Sequence, residues 1–115
     1  MKYKIPIKIL SVNKCWQGRR FKTKEYDLYE KELAILLPRK LKIPEGEIEI
    51  DITFGLSNKL SDIDNGIKPL LDILQKVYGF NDRMVYRLVV NKKIIKKKEE
   101  FVEFEIKTYL QPVDK

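Results

Sequence analysis

The sequence predicts one α+β domain over residues 1–115, with a single mixed sheet of four to five strands and two helices in the order β-α-β-α-β-β. Three observations lead to this prediction. The length suits a single hydrophobic core and is too short for two. Two segments carry apolar residues at helical spacing, and the other regular segments alternate apolar with polar residues, as half-buried strands do.

The first three elements are predicted by apolar spacing. Residues 3–9 alternate apolar with basic residues or proline, and Pro6, which has no amide proton, places this strand at an edge of the sheet. Residues 24–37 carry an apolar helical stripe that ends before Pro38. Residues 47–54 alternate isoleucines with acids and form the clearest strand, with the isoleucines directed inward.

Residues 11–23 show no sustained period and are expected to form a loop. Arg19 and Arg20 lie between the aromatic residues Trp16 and Phe21, and a basic loop with aromatic rings can contact nucleic acid. In a second interpretation, the rings cover the edge of the core and the arginines are solvated. Both interpretations remain open at this point.

The second helix is expected at about residues 65–78, followed by Gly79 as a left-handed C-terminal cap. Pro69 fits only in the first turn, whose amides have no partner within the helix, so the helix begins close to Asn65 or Gly66.

The last two strands, about residues 84–91 and 101–110, are expected to pair as a long antiparallel hairpin. Residues 92–100 then form its tip, which concentrates five lysines. Such a tip can follow a phosphate backbone or can serve as a solvated edge that resists aggregation. The candidates for contact with DNA in this tip are Lys96, Lys97 and Lys98.

Composition excludes several classes of chemistry. The chain has no histidine and a single cysteine, so imidazole catalysis, zinc–histidine sites and an intramolecular disulfide are excluded. Its net charge is +7, which favours a polyanionic partner but also aids solubility. No apolar run approaches a membrane span and the N-terminus lacks the apolar core of a signal peptide, so a cytoplasmic location is expected.

Two acids, Asp62 and Asp64, stand immediately before the second helix. On an extended segment this spacing directs both carboxylates to one face, where they can share a divalent cation. Asp82, at the start of the next strand, can supply a third ligand for metal-assisted phosphodiester hydrolysis. Lys68 lies in the first helical turn, with Asp72 one turn later as its partner. In another interpretation, the two acids only cap the helix and complement its dipole.

Several residues recur at fixed spacing around these acids: Asp62, Asp64, Asn65, Lys68, Asp72, Leu74, Asp82 and Val85. This pattern resembles the signature of RusA-type Holliday junction resolvases, with weaker similarity at residues 11–13 and 18–20. By this resemblance, Asp62, Asp64 and Asp82 correspond to the metal-binding carboxylates of the family and Lys68 to its essential lysine. The family usually has two adjacent aspartates where this chain has Asn81 and Asp82, and the second, catalytic position is the one retained.

The resemblance implies a Mg²⁺-dependent, structure-selective endonuclease, with Mn²⁺ as a substitute ion. It further implies action on four-way junctions in DNA recombination and repair, an origin in a phage or prophage, and a homodimer with one active site for each of two opposed strands. The alternative is a non-catalytic basic DNA-binding protein on the same fold, in which the acids are only caps. In either case, Arg19, Arg20 and the three lysines of residues 96–98 are candidates for contact with DNA.

Overall fold

The computed structural model describes residues 2–11, 16–17 and 21–111. Its strands are β1 (Tyr3–Pro6), β2 (Trp16–Gln17), β3 (Phe21–Lys22), β4 (Ile48–Leu56), β5 (Val85–Ile94) and β6 (Phe101–Thr108). Its helices are α1 (Lys24–Leu36) and α2 (Ile67–Tyr78), and single 3-10 turns occupy Asp82–Met84 and Lys97–Glu99. None of the helices in these ranges combines the length and the apolar character needed to cross a membrane.

One mixed sheet contains β1, β6, β4 and β5 in that spatial order, so the predicted α+β class with this sheet and two helices is confirmed. β4 lies inside the sheet, antiparallel to β6 and parallel to β5. The predicted inward direction of every second side chain of β4 is confirmed. The exposed fraction is at most 1% for each of Ile48, Ile50, Ile52 and Phe54. β1 occupies an edge, as Pro6 predicts, although it is shorter than expected.

The predicted hairpin of the last two strands is wrong, because β5 and β6 lie on opposite sides of β4. Ile50 pairs with Leu88 on one side and with Ile106 on the other. α2 joins β4 to β5, and a helical crossover of this kind is what connects parallel neighbours. The chain from β5 to β6 then passes the end of β4, where the Ile95 amide donates to the Leu56 carbonyl at 2.8 Å. The lysine-rich stretch therefore belongs partly to β5 and partly to this connection.

Both helices and the inner side of the sheet contribute to one hydrophobic core. The buried residues of α1 are Tyr26, Tyr29 and Leu33, all three within the predicted stripe, and those of α2 include Leu70, Ile73 and Leu74. The tyrosines of α1 are therefore core residues, as their spacing predicts.

A hydrogen bond joins the C-terminal end of α2 to the chain that follows α1. The Tyr78 hydroxyl donates to the Pro38 carbonyl at 2.7 Å, and burial raises the pKa of Tyr78 to about 12. Gly79 follows with a φ of 73°, which confirms the left-handed cap. α2 begins at Ile67, slightly later than expected, so Pro69 lies in the first turn.

The region predicted to be a loop, residues 11–23, contains a short antiparallel ladder. Trp16 pairs with Lys22 and Gln17 with Phe21, which makes the two-stranded sheet of β2 and β3. Strands of two residues are too short to show alternation, so periodicity does not detect them. Arg19 and Arg20 lie outside the described residues.

Candidate active site

Residues 57–66, which join β4 to α2, carry Asp62 and Asp64 and are called the aspartate segment below. The expectation that these acids lie on an extended segment is wrong. The Asn65 amide donates to the Asp62 carbonyl and the Ile67 amide to the Asp64 carbonyl, both at 3.2 Å. These bonds close two successive turns. The alternation of side chains along a strand therefore does not determine where the two carboxylates point.

The N-terminus of α2 has no carboxylate cap. Its N-cap residue is Gly66, which makes no side-chain hydrogen bond, and the first turn contains no acid. A Cβ at Gly66 would lie 2.8 Å from Ile9 Cγ2 and 3.1 Å from the Phe54 ring. This close approach of helix to sheet explains glycine where Ser, Thr, Asp or Asn is usual. Among the described residues, neither Asp62 nor Asp64 makes a side-chain hydrogen bond that caps α2, so the interpretation of these acids as caps has no support from the structure.

Lys68 is the second residue of α2 and pairs with Asp72, as predicted. Its Nζ lies 2.8 Å from Asp72 Oδ1, and its side chain remains 64% exposed. The hydrogen bond to Asp72 raises the pKa of Lys68, and the charges of Asp72 and, more weakly, Asp82 raise it further against a small effect of burial. Lys68 is therefore a charged, accessible group at the start of the helix.

Asp82 opens the 3-10 turn that leads into β5. Its amide donates to Gln75 Oε1 at 3.1 Å, which holds it beside the later turns of α2. The side chain of Asn81 accepts a hydrogen bond from the Arg83 amide at 3.0 Å and caps this turn. The charge of Asp82 is the weakest of the influences on the pKa of Lys68. Asp82 itself contacts Gln75 in the later part of α2, whereas the aspartate segment precedes the first turn of that helix.

Within the described ranges, no three histidine, cysteine, aspartate or glutamate side chains are grouped so that they could hold a metal ion. Asp62, Asp64 and Asp82 are all exposed. Their oxygen donors suit a hard cation, and Mg²⁺ commonly takes one or two carboxylates together with water and substrate phosphates. The donor set therefore fits the ion, while the assignment of all three acids as its ligands stays a prediction.

A cavity of about 50 Å³ opens beside the aspartate segment. Its walls are formed by Ile9, Ser11, Phe54, Leu56, Ser61, Asp62, Ile63, Asn65 and Gly66. Pockets for small molecules usually measure about 300–1,000 Å³. This cavity has room for water but not for a nucleotide, so a nucleic acid would have to lie across the exposed acids.

Two contacts that sequence reasoning missed hold the aspartate segment to the rest of the fold. The Ser57 amide and hydroxyl donate to Glu100 Oε2 at 2.8 and 2.7 Å. Lys92 Nζ donates to the Ser61 carbonyl at 2.7 Å and to the Lys59 carbonyl at 3.3 Å. No local pattern could have revealed these contacts, because they require β5 and its connection to β6 to lie beside the end of β4.

The candidate DNA-contacting lysines Lys96, Lys97 and Lys98 are exposed on the connection between β5 and β6. Their exposure suits both contact with phosphate and simple solvation, so their role in DNA binding stays a prediction. Arg19 and Arg20 lie outside the described residues, and their role in DNA binding also stays a prediction.

Comparison with known proteins relates the chain to a family. The sequence model of the family described as Endodeoxyribonuclease RusA matches residues 11–107, which include every candidate site residue named above. No curated protein matches the chain.

Proposed function

Because the chain belongs to the RusA family of Holliday junction endodeoxyribonucleases, we propose that it cuts four-way junctions by Mg²⁺-dependent hydrolysis at the site around α2. One observation carries this assignment of the site. The acids before α2 are exposed and make no capping bond, while the cation Lys68 lies in the first turn of a helix whose dipole disfavours it. The acids add no capping bond to the helix, and the lysine opposes its dipole, so neither feature is explained by the stability of the fold. Both features suit a site that receives DNA phosphate.

In the proposed site, Asp62, Asp64 and Asp82 would hold Mg²⁺, for which Mn²⁺ is a substitute, and the three carboxylates, which are not grouped around a common point among the described residues, would have to approach one another as the ion and DNA bind. When bound, such an ion activates water and neutralises charge that develops on the phosphate. Cleavage forms a bond between the water oxygen and phosphorus, and that water gives up one proton to the solvent. The bond from phosphorus to the 3′ oxygen breaks, and this oxygen takes up one proton from the solvent and leaves as a hydroxyl. The carboxylates supply hard oxygen donors and remain accessible to the DNA.

Lys68 is proposed to act on the phosphate itself. Its side chain is 64% exposed, so the ammonium can leave or share its contact with Asp72 when DNA binds. Beside the cleaved phosphate, a fixed positive charge stabilises the negative charge that builds on the phosphoryl oxygens in the transition state. Alternatively, the same ammonium, beside the metal ion, can position the attacking water.

The proposed partner is a second copy of the chain. Resolution of a four-way junction requires a cut in each of two opposed strands, and each chain supplies one set of Asp62, Asp64, Lys68 and Asp82. A homodimer therefore provides the two sites that the reaction needs.

A labelled four-way junction incubated with and without Mg²⁺ tests the proposal. The Asp82→Asn variant should lose cleavage and bind the junction as tightly as wild type or slightly more tightly, because a negative charge near phosphate is removed. The matched control is Asp27→Asn, which changes an exposed acid of α1 and should cleave normally.

If Asp82→Asn cleaved the junction at the wild-type rate, the proposed role of Asp82 as a metal ligand would be refuted. Junction binding by the wild-type protein without cleavage in Mg²⁺ or Mn²⁺ would refute the proposed activity and favour a non-catalytic DNA-binding protein.

A further inference from the structure

Lys92 lies in the part of β5 that runs beside the end of β4, where it pairs with Phe54. From there its Nζ reaches two carbonyls of the aspartate segment, at Ser61 and Lys59. The shorter contact, 2.7 Å, is to the Ser61 carbonyl. This carbonyl belongs to the peptide group whose nitrogen is that of Asp62. Lys92 therefore holds the peptide plane from which Asp62 extends.

We infer that Lys92 is a positioning residue for the Asp62 carboxylate, an inference that rests on the function proposed above. The start of the aspartate segment has its own anchor, because Ser57 donates twice to Glu100. Beyond Asp62, the segment is closed by its turn to Asn65. The contact from Lys92 lies between these two points and orients the peptide on the N-terminal side of the acid.

The chemistry of this contact suits positioning better than general ion pairing. Among the described residues, the hydrogen bonds of Lys92 go to neutral carbonyls, and no carboxylate forms an ion pair with it. Hydrogen bonds from a charged donor are stronger and shorter than neutral ones. Lys92 is half-buried, whereas the next residue, Lys93, is exposed and directed to the other side of the strand.

This pair of neighbouring lysines provides a matched experiment. Lys92→Met removes the charge and both hydrogen bonds while keeping a long side chain, and Lys93→Met removes the same charge without touching the aspartate segment. Lys92→Arg keeps the charge and the donors. Junction affinity is measured without a divalent cation, and the cleavage rate is measured in single turnover at saturating protein over a range of Mg²⁺ concentrations.

We expect Lys92→Met to lower the cleavage rate without a matching loss of junction affinity. Lys92→Met should cleave roughly tenfold or more slowly at saturating protein, because small displacements of a catalytic group cost rates of this order or more. It should also need more Mg²⁺ for half-maximal rate. Its junction affinity should fall only as far as that of Lys93→Met, and Lys92→Arg should recover most of the rate.

Amide hydrogen exchange provides a readout that does not depend on activity. Residues 57–66 should exchange faster in Lys92→Met than in wild type or Lys93→Met. If Lys92→Met does not fold, Lys92→Gln, which is polar but too short to span both carbonyls, carries the same expectations.

Equal cleavage rates for Lys92→Met and Lys93→Met at saturating protein would overturn the inference, as would unchanged exchange in residues 57–66. If the wild-type protein itself does not cleave junctions, the proposed activity fails, and the exchange measurement still decides whether Lys92 positions the segment.

Discussion

Replacing Lys68 with alanine is expected to leave the protein at least as stable and to remove most of its cleavage activity. As the second residue of α2, Lys68 opposes the helix dipole at a cost of about 0.3–1 kcal/mol when exposed. The ion pair with Asp72 offsets only about 0.2–0.5 kcal/mol of this cost, because the lysine precedes the acid and the pair is exposed. Alanine also has the highest helix propensity. We therefore expect the free energy of unfolding to be unchanged or higher by up to about 1 kcal/mol.

The expected effect on activity is much larger. Loss of a single group that stabilises transition-state charge commonly lowers the rate by about 10²–10³-fold. Urea or thermal unfolding measures the stability, junction binding without Mg²⁺ measures the affinity, and single-turnover cleavage in Mg²⁺ measures the chemical step. Only the last should change strongly in Lys68→Ala.

Lys76 provides the control on the same helix. Its Nζ lies 2.7 Å from Glu30 Oε1, its side chain is 57% exposed, and it stands in the last turn, where the dipole favours a cation. Lys76→Ala should therefore lower stability slightly and leave cleavage unchanged. A large loss of melting temperature in Lys68→Ala, together with cleavage close to that of Lys76→Ala, would show that Lys68 is structural and would refute this reasoning.

Three further predictions concern DNA affinity, packing and pH. Neutralising the three lysines of residues 96–98 should weaken junction binding and reduce its salt dependence if they contact phosphate, and unchanged affinity and salt slope in a titration would identify a solvated edge. Gly66→Ala should destabilise the protein by about 1–3 kcal/mol in urea unfolding, because the added Cβ meets the buried Phe54 ring, and unaltered stability would contradict the close approach. Burial raises the pKa of Tyr78 from 10.0 to about 12, so its contribution to stability is complete below pH 10 and is lost as pH rises through about 12. Tyr78→Phe should therefore show a smaller loss of stability than wild type over that interval, and equal losses would remove Tyr78 as the cause.

Local patterns in the sequence determined the elements and the contacts that any helix would make. The apolar stripes predicted α1 and α2, the alternation of isoleucines with acids predicted β4, and Gly79 predicted the left-handed cap. The pairing of Lys68 with Asp72 could also be predicted, because residues four apart always face each other on a helix. In each case the determining interaction spans only a few residues, so the information lies within one stretch of the chain.

The neighbours of each strand were decided only by the tertiary structure. Alternation indicated that β5 and β6 are strands, but it carries no information about which strand lies next to which, and consecutive strands were wrongly paired. The observed arrangement places both of them against β4, whose inward side chains are almost completely buried.

The shape of the candidate site follows from that arrangement. Gly66 is required by the close packing of α2 on Phe54, and the contact from Lys92 to the peptide before Asp62 exists because β5 lies beside the end of β4. The acids themselves were visible in the sequence because their chemistry is local. Their surroundings were not, because the groups that hold the aspartate segment come from positions 31 to 43 residues away and meet it only when the sheet has formed.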